Sequence, residues 1–450
     1  MIFRNCAVYK NGNFEKSDLF VENGIFTDSS SGPVIDLSGM YVMPGFVDSH
    51  AHILGVGQKC EHLNLEKICS QEELFQLLIK QDKKIILGRG WSEQTLGGYP
   101  DKKMLDKIQK PVVLTRKCGH VAVLNQSAMN LINMYKEDGI FKEDELEKIR
   151  GRLNNEDAER LFKIGEEEFL KHGVTFVHSD DLHGLSWDEL KRILKKSRIR
   201  IFEKLHFSRI EDLERFNEFG VLTERVYVKG VKIFADGSLG GKTAYLSKPY
   251  ADEKSYRGMC LANSQQIERF AEICSRKKVQ LCIHAIGDAA VHEVAMALKN
   301  YPKNRLIHAQ LIDEKDLKYL KDTYFCVQPH FAFEDQELIS RRISKEFYGL
   351  KYDFLKLFKE GYRVTFSTDA PVSPHDPKYV IEAALRMGFH LMDAINLYTY
   401  ASSETTGLRN IGKIEIGYAA DFAIYEKNPL KLEDDPIAVY VHGEQIWQKA

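Results

Sequence analysis

The chain has 450 residues, enough for two or three domains, and 44% of them are hydrophobic, so a stably folded globular protein is expected. Its 63 basic and 65 acidic residues nearly cancel, which excludes a broad charge field for nucleic acid or an anionic membrane surface. No run approaches the roughly 18 apolar residues of a membrane span, MIFRNCAVYKNGNF lacks a signal-peptide core, and the eight cysteines show no CxxC spacing. The expectation is a cytoplasmic protein with buried thiols and neither a disulfide framework nor a zinc ribbon.

Residues 1–45 alternate short β-like pieces (AVY, DLFVE, VIDL) with the turn signals NGN, ENG and SSSGP. Residues 58–150 follow a first apolar run and are too long for one crossover helix; they read as an insertion covering a barrel mouth. Across residues 46–399, GFVDSHAH, VTFVHSDD, RIRIFEKLHF, VKGVKIFADG, VQLCIHAIGD, RLIHAQ, YFCVQPH and RVTFSTDA alternate with helical patterns such as SQQIERFAEICSRKK. That alternation is the mark of a parallel sheet, and eight units closing on themselves make an α/β fold of the (β/α)8 TIM-barrel type, with a doubly wound open sheet as the lesser reading. Residues 400–450 return to short β-like pieces, DFAIY and IAVYVHGEQIW. Since termini usually lie close together, segments 1–45 and 400–450 are expected to pair into one discontinuous β-sandwich.

His50, His52, Lys232, His284, His308 and Asp369 each sit at or just beyond the C-terminal end of one of these runs, the ends that converge at the catalytic mouth of such a barrel. His50 and His52, two apart after a strand, can grip one ion together, and His284 and His308 offer further imidazole donors. Any one of these histidines taken alone reads equally as a hydrogen-bonded core residue; five strand ends carrying ligand types do not. Asp369 has the position of a metal ligand that also exchanges a proton as general acid/base, its alternative being a helix cap. Burial disfavours a charged amine, and a neutral Lys232 can take up carbon dioxide as an N6-carboxylate that bridges two cations; otherwise it snorkels to the rim or pairs with a carboxylate.

PGFVDSHAH, GRGWSEQ, PVVLTRKCGHVAVLN, GVKIFADGSLGGKTAYL, HAIGDAA, HAQLID, VQPHF, STDAPV and GKIEIGYAADFAIY form an ordered series along the chain. The series resembles the amidohydrolase superfamily, and within it the branch of YtcJ-like proteins and N-substituted formamide deformylases. The resemblance implies a barrel with a composite β-sandwich, one or two divalent ions (zinc the first candidate) held by the six residues above, and Asp369 as acid/base. The implied reaction is hydrolysis of a C–N bond in a small amide, an N-substituted formamide among the candidates, by metal-activated hydroxide. Trp91, Arg116 and His120 lie in branch-like motifs of the insertion and are candidate substrate contacts, as are His178 and His206 at the ends of the second and third runs. Asp236 and Asp288 follow ligands closely and are candidate supporting residues. Two other readings stand beside this one: a mononuclear deaminase, for which HAIGD lacks the expected glutamate, and a catalytically silent binding protein. A small-molecule substrate is expected, with no nucleic-acid or membrane partner, and homo-oligomerisation is left open.

Overall fold

A computed structural model describes residues 1–142, 145–146, 148–149, 157–182 and 185–449. Residues 143, 144, 147 and 150 of the expected insertion, and residue 450, lie outside the described residues. Eight strands form one parallel sheet in chain order: β1 (Phe46–Ala51), β2 (Val174–Ser179), β3 (Arg200–His206), β4 (Val226–Phe234), β5 (Gln280–Ala285), β6 (Arg305–His308), β7 (Tyr324–Val327) and β8 (Arg363–Phe366). Every residue of β1, β2 and β6 is buried, as expected of parallel strands covered on both faces. These strands coincide with the eight apolar runs of the sequence.

β8 meets β1 just past the regular ladder. Asp369 N–H donates to His50 O at 2.9 Å, and His52 N–H donates to Ala370 O at 2.8 Å. Beside them Ser49 Oγ donates to Phe366 O at 2.7 Å. Asp48 adds side-chain bonds across the same seam, accepting from Thr368 Oγ1 at 2.6 Å and Tyr398 OH at 2.7 Å. Burial pushes the Asp48 carboxyl up to about 6, against the opposing pull of those hydrogen bonds.

Helix α1 (Ile53–Glu61) follows β1, and helix α2 (Ala158–Lys171) precedes β2 and packs on it. Their backbones touch. A Cβ on Gly57 would stand 1.8 Å from Leu161 O, and one on Gly165 would stand 2.0 Å from Ile53 O, so no larger residue fits either position without separating the helices. Asp157 caps α2 by accepting from Arg160 N–H.

Between β1 and β2 a separate five-stranded sheet runs Ile140–Lys142, Val121–Leu124, Val112–Arg116, Ile86–Trp91, Leu63–Asn64 in spatial order. Its own apolar cluster, with Leu74, Ile86, Leu105 and Leu114 among its members, makes it a unit laid beside the barrel. The two ends of the chain meet in one eight-stranded sheet. Strand Ile2–Lys10 forks: its first residues pair with Val34–Asp36 and its later ones with Tyr41–Pro44, which in turn pairs antiparallel with Phe422–Tyr425. Stacked Phe422 and Tyr440, with Phe3 edge-on to both, belong to the buried apolar cluster of this sheet. Arg200 of β3 and Asp421 form a buried ion pair that ties barrel to terminal sheet. Among the described residues no helix is long and apolar enough to cross a membrane.

Candidate metal centre

The C-terminal ends of β1, β4, β5, β6 and β8 open on one cavity, and His50, His52, Lys232, His284, His308 and Asp369 all line it. His50 Nε2 is 3.2 Å from Asp369 Oδ1, and His52 Nε2 is 3.5 Å from the same oxygen. Ligand atoms of His50, His308 and Asp369 lie within 4.8 Å of one another, all three residues buried. Two donors on one tetrahedral ion at bond lengths near 2.05 Å stand about 3.3 Å apart. The histidine–aspartate spacings therefore have the dimensions of edges of a coordination shell.

The ring nitrogens are arranged to match. His52 Nδ1 is 2.8 Å from Asp180 O, His284 Nε2 is 3.1 Å from Gly237 O, and His308 Nδ1 is 2.9 Å from Gln328 Oε1. Each of these oxygens takes the ring N–H and so leaves the lone pair on the other nitrogen, the tautomer a metal requires. Gln328 is held in turn by its Nε2 donating to Ser367 Oγ at 2.8 Å. His50 Nδ1 is a buried nitrogen with no partner among the described residues. Burial also favours the neutral form of three of the rings: it drives His50 and His284 well below the ordinary histidine range and His308 down to about 4. For Asp369 burial works toward the neutral acid, but the adjoining His50 and His52 side chains outweigh it and hold the carboxyl well below the usual range. Neutral imidazoles around an ionised carboxylate form a donor set that fits a divalent cation.

Asp369 caps no helix; the helix that follows, Pro377–Met387, is capped by Asp376. Lys232 is buried, its Nζ 2.9 Å from Asp180 Oδ2 and 4.5 Å from the centre of the Phe234 ring. β4 and β5 run in register, with Lys232 opposite Cys282 and Phe234 opposite His284.

The remaining candidates divide by position. His120 and His206 line the cavity, the His120 ring 5.5 Å from that of His284. Arg116 lines an adjoining lobe with its Nε 2.8 Å from Glu93 Oε2. Trp91 lies inside the core of the insertion, its Nε1 donating to Leu114 O at 2.9 Å, away from the cavity wall. His178 points into the barrel interior, where Arg305 Nη1 lies 2.9 Å from its Nδ1. Asp236 accepts from the backbone N–H groups of Tyr245, Ile286 and Gly287 and so fastens the loop after β4 to the loop that follows His284. Asp288 accepts from Ser247 N–H at 3.0 Å, a further tie between those loops.

Sequence reasoning missed three supporting residues. Gln328 orients His308. Asp48 spans the seam beneath His50. Asp181 accepts from the N–H groups of Ile53 and Leu54 at the start of α1, directly after His52. Their only signal was polarity inside or beside an otherwise apolar strand. Elsewhere His172, Asp376 and Asp435 also approach one another, but Lys378 Nζ sits 2.6 Å from Asp435 Oδ1 and already supplies the cation.

The chain is similar to known members of a hydrolase family. The sequence model described as the amidohydrolase family matches residues 33–447. The Bacillus subtilis protein named "Putative amidohydrolase YtcJ" is 27% identical over 92% of this chain and 90% of its own length. Two crystal structures superpose closely, each an uncharacterized metal-dependent hydrolase. The one from Pyrococcus horikoshii OT3 has a TM-score of 0.82 at 31% identity and covers 95% of this chain and 98% of that chain. The one from Pyrococcus furiosus has a TM-score of 0.80 at 30% identity and covers 95% of this chain and 99% of that chain.

Proposed function

The chain belongs to the amidohydrolase family, and as a metal-dependent hydrolase of that family we propose that it cleaves the C–N bond of a small amide, with N-substituted formamides the first class to test. The observation that carries this reading is the donor set: three histidines, each with one ring nitrogen tied to a protein oxygen, lining one cavity with His50 and an ionised Asp369. His50, His52 and Asp369 would hold one divalent ion, with zinc favoured by the imidazole and carboxylate donors, and His284 and His308 a second. Bound there, the metal would supply Lewis acidity that lowers the pKa of water and polarises the amide carbonyl. Lys232 is the residue on which the number of ions turns. As a free amine it pairs with Asp180; as an N6-carboxylate it would bring two further anionic oxygens to the space between the two groups of ligands.

Asp369 takes the proton released by the attacking water and delivers it to the amine nitrogen as the C–N bond breaks. Its ionised state in the buried site is the one needed to accept that proton. The walls around it exclude bulk water and so strengthen each polar contact made there. A small-molecule substrate and a cytoplasmic setting are part of the same reading.

The test joins metal counting by mass spectrometry with a hydrolysis screen over N-substituted formamides, N-acyl amines and lactams, and with carbon-13 bicarbonate NMR at Lys232. Two ions per chain, a carbamate signal and turnover of a formamide are expected. Asp369→Asn should lower kcat by about a thousandfold or more, in line with loss of a proton-transfer group that also binds metal. Near-full turnover by that variant with metal bound would sink the mechanism.

A further inference from the structure

A second lobe of about 300 Å³ opens off the metal-lined cavity and shares His284, His308 and Asp369 with it. The turn that carries Cys118 and His120 lines both spaces. Their charges differ. Beside the ligand candidates, the metal cavity carries the cation Arg89 and no carboxylate among the described residues. The lobe instead carries Glu334, Asp335 and Glu337 against Arg116 and Lys117.

Ion pairing widens that imbalance. Arg116 is taken by Glu93 at 2.8 Å, a carboxylate outside the lobe's lining, and Lys117 is taken by Glu334 at 2.9 Å. Asp335 and Glu337 are left lining the lobe with no cation paired to either among the described residues. Glu337 is exposed at the rim, whereas Asp335 is half-buried. Tyr352 OH donates to Asp335 Oδ2 at 2.7 Å, and Oδ1 has no donor among the described residues, yet it is not one of the sealed, unpartnered atoms and so keeps surface of its own. Burial, with Glu334 adding to it, pushes the Asp335 carboxyl up to about 6 against the pull of that hydrogen bond. A carboxylate so placed is short of positive charge, and a cation brought to Oδ1 would relieve the cost of holding it there.

The chemistry of an amide supplies the direction. Water adds across the C–N bond, the acyl half leaving as a carboxylate and the amine half as an ammonium at neutral pH. An acidic lobe beside the centre suits the amine half, and the Arg89 side suits the acyl half.

We propose that the lobe receives the amine half of the substrate, that this half carries a cationic group such as a primary ammonium on a short alkyl chain, and that Asp335 is the specificity-determining residue that binds it, with Glu337 adding to the field at the rim. This rests on the hydrolase reading above and specifies its substrate class. Leu239, Ile286 and Phe331 line the same lobe and can cover the methylenes of such a chain.

The probes are N-(4-aminobutyl)formamide and N-pentylformamide, which differ by an ammonium in place of a methyl group, offered to the metal-loaded full chain. The wild type should prefer the amino compound by about tenfold or more, the worth of a charge-assisted hydrogen bond. Asp335→Asn, which can still accept from Tyr352 OH, should remove most of that preference with metal content unchanged. If Asp335→Asn fails to fold, Glu337→Gln at the exposed rim should lower the preference by about two- to threefold, the smaller effect of a solvated charge. Where the compounds are hydrolysed, the ratio is read as kcat/KM. If neither is hydrolysed the formamide reading fails on its own, and the ratio of Kd values from calorimetry on the same metal-loaded protein decides the role of Asp335. Parity or a preference for the pentyl compound in the wild type, a preference that survives whole in the folded variant, or no binding of either compound would overturn the proposal.

Discussion

His308 and Asp369 both sit at positive φ, 74° and 56°, although neither is glycine. Backbone in that region is strained for such residues and persists where the surroundings fix it, here through Gln328 on the His308 ring and the His50 carbonyl on Asp369 N–H. Gln328→Leu removes the acceptor that sets the His308 tautomer, so metal affinity should fall by about 10- to 100-fold while the fold survives, as a chelator competition would read. Unchanged affinity would mean that His308 needs no orienting. Protonation follows the same logic. Because burial draws His308 down to about 4, its neutral, metal-binding form persists as pH falls through the ordinary histidine value and is lost only near the lowered one. Metal retention, followed by dialysis against buffers from pH 7 to 4, should hold well below pH 6.5; a midpoint at 6.5 would point to solvated, unperturbed rings.

At the scale of elements, α1 is the piece that aims His52. Asp181 binds the first two N–H groups of that helix, and Gly57 lets α2 lie directly against it. Gly57→Ala should cost about 1–3 kcal/mol by overpacking, visible as a lower denaturation midpoint, whereas alanine at the exposed Lys163 of α2 should change little. Equal effects would show that the close helix contact is not real. The barrel strands were legible in the sequence because each had to be apolar to be buried on both faces, and the ligand residues stood out as polar groups at their ends. The insertion was legible only as surplus length: its strand Leu63–Asn64 is two residues long and pairs in parallel with one more than twenty positions away, which no local periodicity announces. Asp181 and Gln328 were hidden for a related reason. What each does depends on which distant backbone or ring folds beside it, and residue type alone does not say. Trp91 illustrates the converse, since a motif drew attention to a side chain whose indole turns inward to Leu114 O.

Across the whole molecule, the Arg200–Asp421 pair joins the terminal sheet to the wall of the barrel, and Asp421 also accepts from His442 N–H at 2.8 Å. Removing one member of a buried pair strands the other charge, so Asp421→Ala should cost about 3–5 kcal/mol, measured by chemical denaturation. A loss below 1 kcal/mol would mean that water replaces the pair. The seam between β1 and β8 carries a different kind of consequence. Its backbone hydrogen bonds run through His50, His52 and Asp369, so the act of sealing the barrel and the act of bringing these three together are one event. A growing chain that has emitted β1 but not β8 has His50 and His52 without the Asp369 carboxylate that stands beside them in the folded protein. The three side chains are therefore neighbours only in a closed barrel, so the grouping is a property of the finished fold and of no shorter segment of it.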